Sequence, residues 1–455
     1  MEEQATLAQP ARPPRPEAPA PEWRIGVFGQ GFVGLPLALS YSLRGCRVLG
    51  IDVDQALVDG LNAGLTGLQE QHPDLGQSIQ ALLAQELEAG RYRATSDAAA
   101  ALRECNAIIV TVGIPIIQGQ PLLLHLKTAC RTIGRNLKPD DLVLIRSTVM
   151  PGTTETVLLP LLEAESGLRA GRDFQLAYAP ERIAEGRAFA EIAAMPTLVA
   201  GIDAASAARA EALLVEVCRV ELIATANIRA AETAKIFENL QRDANIAIVQ
   251  EMARFSEAMG LDIFEVIRLA NTHPRVQLLE PGPGVGGYCI PNAYHYLAAP
   301  AVALGVDLPL LERCRAQNAA LPEFFVDKLQ ELLAAAGKPL AGAQIGALGL
   351  AMKDGCGDDR ESPALDICRI LMVRGAVVRA YDPLVADAYS FQVASLQEAL
   401  RDADGALILA RQPGFAALDG AALAGLMKPG AVCLDTRALI DPADAAAHQL
   451  AYWRI

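Results

Sequence analysis

A cysteine set among glycines, a glycine-rich turn followed by an aspartate, and a lysine four residues before an asparagine are the residues here best placed to do chemistry. The stretch from Glu280 to Tyr296 reads EPGPGVGGYCIPNAYHY. Gly282, Gly284, Gly286 and Gly287, with Pro281 and Pro283 among them, exclude helix and central strand ahead of Cys289 and impose a tight, shaped loop. Glycines admit a ligand close to the backbone, and a thiol on such a loop becomes a nucleophile if its neighbours hold it as thiolate. The plain alternative is a surface loop with an inert buried cysteine.

Near the start of the chain, RIGVFGQGFVGLPLALSYSLRG reads as strand, turn and apolar helix, with Gly29, Gly31 and Gly34 forming G-x-G-x-x-G. VLGIDVD supplies a second strand ending in Asp52. A strand before the glycines, a helix after them and an acidic residue about twenty positions on together make the dinucleotide fingerprint. The helix N-terminus would receive a pyrophosphate and Asp52 a ribose hydroxyl, favouring NAD over NADP. Thr111, Ser147 and Thr148 stand at the ends of later strands, where hydroxyls meet a ligand or cap the next helix. Glu181, in APERIAEGR, follows the apolar strand FQLAYAP; it is either a surface carboxylate or an acid–base group at a strand end. Lys235 and Asn239 share one face of a helix, either solvated or turned inward together.

The elements that must position these groups alternate. Strands at Ala107 to Gly113 and Leu142 to Thr148 flank a helix over Leu124 to Asn136, the pattern of a doubly wound parallel sheet with ligands at the strand ends. From Ala230 to Met259 the sequence predicts one long helix without internal Gly or Pro. Arg275, in NTHPRVQ, has the planar fork that suits a phosphate. From about Lys338, AQIGALGLAMK ends at Lys353, and further strand and helix runs build a second, smaller α/β unit without the glycine fingerprint.

The 455 residues exceed one ordinary core, so two or three domains are expected. A hydrophobic share of 52% with 20% charged residues fits a globular protein. The net charge of -14 and the lack of a basic block argue against a nucleic-acid partner. Nine cysteines at irregular spacing suggest neither a disulfide framework nor a zinc or other metal site, and fit a reducing cytoplasm. No apolar run is long enough to span a bilayer, so no membrane partner is expected.

After residue 22 the chain resembles the UDP-glucose/GDP-mannose dehydrogenase family over nearly its whole length. The matching segments, in order, are GQGFVGLPLA, STVMPGTT, APERIAEG, AAETAKIFENLQRDANIA, HPRVQLLEPGPGVGGYCIP and LGLAMKDGCGDDRESPAL. The cysteine region is similar to the branch acting on UDP-N-acetylhexosamines such as UDP-N-acetylmannosamine and UDP-N-acetylglucosamine. The resemblance implies an α/β fold of two Rossmann-like doubly wound domains joined by a long central helix and a helical middle domain. Residues 1–22 would be a disordered tail, 23–224 the NAD-binding domain, 225–320 a helical central and dimerisation domain carrying the cysteine loop, and 321–455 the UDP-sugar-binding domain. It implies two oxidations of a sugar CH2OH with NAD+, Cys289 capturing the aldehyde, Lys235 and Asn239 stabilising charge on the C6 oxygen, and Glu181 with Thr148 handling water and protons. Gly29, Gly31, Phe32, Val33, Gly34, Asp52, Thr111, Ser147 and Arg360 would hold NAD. Gly286 and Lys353 would meet the substrate, and Arg275 would reach its diphosphate from the neighbouring subunit of a homodimer or larger oligomer.

One departure bears on mechanism. The family's aspartate four residues after the cysteine is Ala293 here, the next proline is Tyr294, the histidine before the cysteine is Tyr288, and a Thr-Pro pair is Ile114-Pro115. Three readings follow: a four-electron dehydrogenase in which His295, Glu181 or water replaces the aspartate; an NAD enzyme that stops at the aldehyde or works redox-neutrally like an epimerase; or a nucleotide-sugar-binding protein with little catalysis.

Overall fold

The computed structural model describes residues 22–386 and 389–455, so the tail expected over 1–22 lies, except for Glu22, outside the described residues. Strands Arg24–Phe28 (β1), Arg47–Ile51 (β2), Tyr92–Thr95 (β3) and Ala107–Val110 (β4) precede a small hairpin of Ile116–Ile117 (β5) and Gln120–Pro121 (β6). Leu142–Ile145 (β7), Gln175–Tyr178 (β8), Thr197–Gly201 (β9) and Leu222–Thr225 (β10) follow. Apart from the hairpin, these strands form one sheet in the order β10-β9-β8-β7-β4-β1-β2-β3. Its apolar runs are unbroken because both faces are covered. Val27, Ile109 and Leu144 enter one buried cluster, while the adjacent Phe28, Ile108 and Val143 enter another on the opposite face. The sheet departs from the all-parallel expectation at one seam, where β8 and β9 run antiparallel.

A second sheet of Gln344–Leu348 (β11), Val377–Tyr381 (β12), Gly405–Ile408 (β13), Val432–Asp435 (β14) and Ala451–Arg454 (β15) is parallel throughout, in the order β12-β11-β13-β14-β15. In both sheets the first strand lies between strands leading in opposite directions, the switch point outside which α/β proteins gather ligands. Between the sheets runs the helix Ile228–Ala258, 31 residues or about 46 Å, starting two residues before the expected position because Asn227 caps it on the Ala230 amide. Among the described residues no helix is long and apolar enough to cross a membrane.

That long helix buries a row of polar residues beside apolar ones such as Ile236, Leu240 and Val249, and it exposes a row of large apolar residues. Glu232, Lys235, Asn239, Asp243 and Gln250 are all at most 4% exposed, whereas Phe237, Ile248, Met252, Phe255 and Met259 are 43–67% exposed. Spacings of three, four, seven and eleven residues put each set on one face. The inward side thus combines core packing with a row of polar groups, and the outward apolar row is left uncovered within one chain.

Candidate active site

The nucleotide turn is shaped by its glycines in three different ways. Gly29 adopts φ +89° and its amide donates to the Ile51 carbonyl at 2.8 Å. A Cβ on Gly34 would stand 1.7 Å from the Gly29 oxygen, so only glycine lets the helix Gly34–Ser42 close on the turn. A Cβ on Gly31 would meet nothing within 4 Å, which leaves the backbone there open to a phosphate. Val33 sits at the helix N-cap with no side-chain cap bond. One strand over, Asp52 accepts from the Gln30 amide at 2.7 Å and the Asp54 amide at 3.1 Å, beside a fully exposed Val53. An open backbone cradle with a carboxylate at its side fits NAD and disfavours a 2′-phosphate. Thr111 and Ser147 cap no helix. The Thr111 hydroxyl donates to the Phe28 and Gly29 carbonyls at 2.8 and 3.1 Å, and Ser147 donates to Val110 at 3.3 Å, so both staple strand ends under the cradle.

Cys289 is an exposed, free thiol at the N-cap of the helix Ile290–Ala303. Tyr296 on that helix donates to the Ile114 carbonyl at 2.7 Å, which docks the helix beyond the end of β4. Asn239 donates to the Cys289 carbonyl at 3.3 Å. Lys235 lies one turn earlier on the same face; burial pushes its ammonium down, and Cys289 is the strongest of the neighbours that oppose this, with Glu238 and Glu181 behind it. Glu232, three residues before Lys235 and fully buried, accepts from the amides of Gly152 and Thr154, tying STVMPGTT to the long helix. The loop ahead of the cysteine is tight for a reason different from ligand approach. A Cβ on Gly286 would come within 2.7 Å of the Glu361 oxygen and 2.8 Å of Pro363, and one on Gly287 within 2.2 Å of the Met352 sulfur, so the missing side chains admit the second unit's loop. Tyr288 projects toward Gly113, and burial raises its phenol to about 12, helped by Glu361 and Cys289.

Glu181 is a saturated acceptor. Arg146, 4% exposed at the end of β7, binds one carboxylate oxygen through both Nε and Nη2, while the Arg182 and Ile183 amides bond the other at 2.8 and 3.1 Å. Sequence reasoning missed Arg146, although a cation directly after four buried strand residues is itself a signal. Thr148, half-buried two residues beyond it, makes no hydrogen bond through its hydroxyl among the described residues. Glu185, also missed, follows on the same segment. It contacts Arg360 at 2.9 Å, and its carbonyl accepts from Lys353 at 3.1 Å. The Arg360 guanidinium lies 4.0 Å over the ring of Phe32 in the nucleotide turn. Arg275 is exposed and is not brought to Cys289 within the chain; its amide only turns back on the His273 ring. Ala293, 1% exposed, packs with Tyr296 and Ile114. His295 lies against Gly119 at the hairpin tip, and burial lowers its imidazole's proton affinity.

Two Rossmann-like sheets with a dinucleotide cradle on the first, and a cysteine loop beside a buried lysine and asparagine, make the architecture of an NAD-dependent dehydrogenase. The sequence matches family models over residues 23–218 (UDP-glucose/GDP-mannose dehydrogenase family, NAD binding domain), 229–320 (central domain) and 346–442 (UDP binding domain). The chain therefore belongs to the UDP-glucose/GDP-mannose dehydrogenase family, whose enzymes are NAD-dependent oxidoreductases, and NAD is its cofactor. It is 35% identical to UDP-N-acetyl-D-mannosamine dehydrogenase of Pyrococcus horikoshii over 86% of this chain and 90% of that protein. It is 32% identical to UDP-N-acetyl-D-glucosamine 6-dehydrogenase of Pseudomonas aeruginosa over 80% and 83% respectively. The solved structure of the Pyrococcus horikoshii enzyme superposes with a TM-score of 0.87, covering 95% of this chain and 99% of that one.

Proposed function

We propose that the protein oxidises the C6 hydroxymethyl of a UDP-N-acetylhexosamine to the uronic acid through a thioester on Cys289. The meeting of Lys235 and Asn239 with the Cys289 loop is the observation that carries this reading. NAD+ supplies the hydride acceptor for each of two oxidations. In the first, the C6 carbon gives up a hydride while its hydroxyl gives its proton to water, leaving an aldehyde, with the Lys235 ammonium and Asn239 amide stabilising charge on the oxygen. The Cys289 thiolate then adds to the aldehyde carbon, and the oxygen takes a proton, giving a thiohemiacetal. Its oxidation gives the thioester; water adds to the carbonyl, the C–S bond breaks, and acid and thiol are released. Glu181, with both oxygens occupied, serves as a fixed negative charge facing Lys235, and Thr148 is the free hydroxyl nearest in sequence to order water. Lys353 lies close to the sugar nucleotide in this reading, and Gly286 acts by letting the cysteine loop seat against the second unit.

The proposal includes a homodimer or larger oligomer built on the exposed apolar face of the long helix, with Arg275 completing a neighbour's site. One observation favours a second reading. Position 293 carries a buried alanine and no proton acceptor, which favours release at the aldehyde or a lingering thioester. Counting NADH per sugar while identifying the product by mass spectrometry, over a panel of UDP-sugars, decides the matter. Two NADH and a uronic acid support the main reading, and one NADH with free aldehyde supports the second.

A further inference from the structure

Arg360 joins the second sheet's first loop to the nucleotide turn, and two carboxylates share it. Asp358, whose side chain is 1% exposed, accepts from Arg360 Nε at 2.8 Å and Nη2 at 2.6 Å; Glu185, 15% exposed, accepts from Nη2 at 2.9 Å. Nη1 makes no hydrogen bond among the described residues, so one edge of the guanidinium remains free where it stacks on Phe32. Glu185 and Asp358 both accept from Arg360 Nη2, at 2.9 and 2.6 Å, so two largely buried carboxylates crowd one guanidinium nitrogen, and like charges this close favour a proton on one of them. Burial and the neighbouring Asp358 carboxylate push the Glu185 carboxyl up to about 9. Burial also pushes Asp358 up, but its neighbours, the hydrogen bonds from Arg360 foremost, outweigh it and leave its carboxyl below the usual range. The other polar groups facing the cluster are Lys353, which bonds the Glu185 carbonyl, the buried Cys356 thiol, and Tyr288 with Glu361 on the far side of Arg360.

We propose that Glu185 and Asp358 are a proton-sharing pair that positions Arg360 for the cofactor, so that NAD+ binds with a proton held on Glu185. With both carboxylates ionised, Glu185, Asp358, Arg360 and Lys353 sum to zero charge; one added proton makes the cluster +1, matched to an anionic pyrophosphate. Ionised Glu185 also competes for the guanidinium. Bound pyrophosphate in turn favours the protonated acid, so binding and protonation are linked. Cofactor affinity should therefore be full at neutral pH and fall as pH rises through the Glu185 titration. The inference rests on the proposed placement of Arg360 beside the cofactor.

The test measures the NAD+ dissociation constant of the full chain by calorimetry from about pH 7 to about pH 10, in buffers of different ionisation enthalpy. Unmodified protein should weaken roughly tenfold over that range, with uptake of up to about one proton per NAD+ near the alkaline end. Glu185→Gln keeps an N–H donor toward Asp358 and an acceptor for Arg360, so it mimics the protonated acid; its affinity should be flat with pH and its proton uptake absent. Asp358→Asn, which removes Arg360's main anchor, should weaken binding already at neutral pH. A flat profile in the unmodified protein, or an unchanged slope in Glu185→Gln, overturns the inference. Arg360→Ala separates the two levels. If it leaves affinity unaltered at every pH, the placement of Arg360 fails; if it weakens binding while unmodified protein shows no pH slope, only the proton-sharing pair fails.

Discussion

At the scale of single residues the site sets stability against function. Lys235 is 4% exposed and its ammonium is disfavoured by burial, so in the pH interval below an ordinary lysine's titration the unfolded chain holds more protons than the folded one. Folding therefore gains as pH rises through that interval, and a buried cation that is removed should not be missed by the fold. Lys235→Met is expected to raise stability by roughly 1–3 kcal/mol at neutral pH and flatten its alkaline rise, while NADH formation falls at least about a hundredfold. Thermal melts and initial rates on one preparation check both. Ala293 poses the reverse case. It lies one helical turn past Cys289, so an aspartate there would stand beside the thiol, but among apolar neighbours that raise a carboxyl's proton affinity. Ala293→Asp should lose about 1–3 kcal/mol of stability and still raise the steady-state rate of acid release, because a buried carboxyl poised near neutrality is a better base. Rapid mixing reads the outcome as a smaller NADH burst relative to steady turnover. An unchanged ratio would mean that another group already performs the step.

At the scale of elements, the exposed apolar row of the long helix makes the proposed oligomer testable. Phe255, 67% exposed, and Met252, 43% exposed, sit where a self-complementary face would bury them, so Met252→Asp with Phe255→Glu should yield monomers in sedimentation with the monomer's helix content intact. Activity should fall with the oligomer if Arg275 serves a neighbour. The sequence made the central strands legible because residues buried on both faces write continuous apolar runs, as in AIIV and LVLI. It did not make β3 and β10 legible. These are the two edges of the first sheet, short and partly exposed, so they lack such runs. The chemical residues were legible in part for a similar reason. Cys289, Lys235, Asn239 and the glycine turn carry their signals locally, whereas Arg146 meets Glu181 across 35 residues and Arg360 meets Glu185 across 175, pairings that only the fold creates.

At the scale of the whole molecule, the cysteine loop is a wedge whose shape is set by the other α/β unit. Gly284, Gly286 and Gly287 lie against Pro363, Glu361 and Met352, and the Gly287 amide donates to the Arg360 carbonyl at 3.0 Å, so the thiol's position depends on how the second unit seats. Gly286 is the informative position because its φ lies outside the left-handed region, which leaves contact as the main obstacle to a side chain. A methyl there meets a main-chain oxygen and a proline ring, neither of which can swing away, and must push the loop or the whole unit outward. A displacement of this kind, far smaller than a domain opening, is enough to spoil the alignment of a thiol with an aldehyde carbon. Gly286→Ala should therefore lower kcat/KM for the sugar nucleotide by roughly ten- to a hundredfold while weakening NAD+ by a clearly smaller factor, since the cradle of Gly29, Gly31 and Asp52 belongs to the first sheet and only Arg360 would shift with the second unit. Adding Met352→Ala should not restore the rate, because the obstructing oxygen of Glu361 and ring of Pro363 remain. Calorimetric NAD+ titrations beside steady-state kinetics separate the two effects. Rescue by Met352→Ala, or a loss of cofactor binding as large as the loss of rate, would show that the loop is not held in the way its glycines indicate.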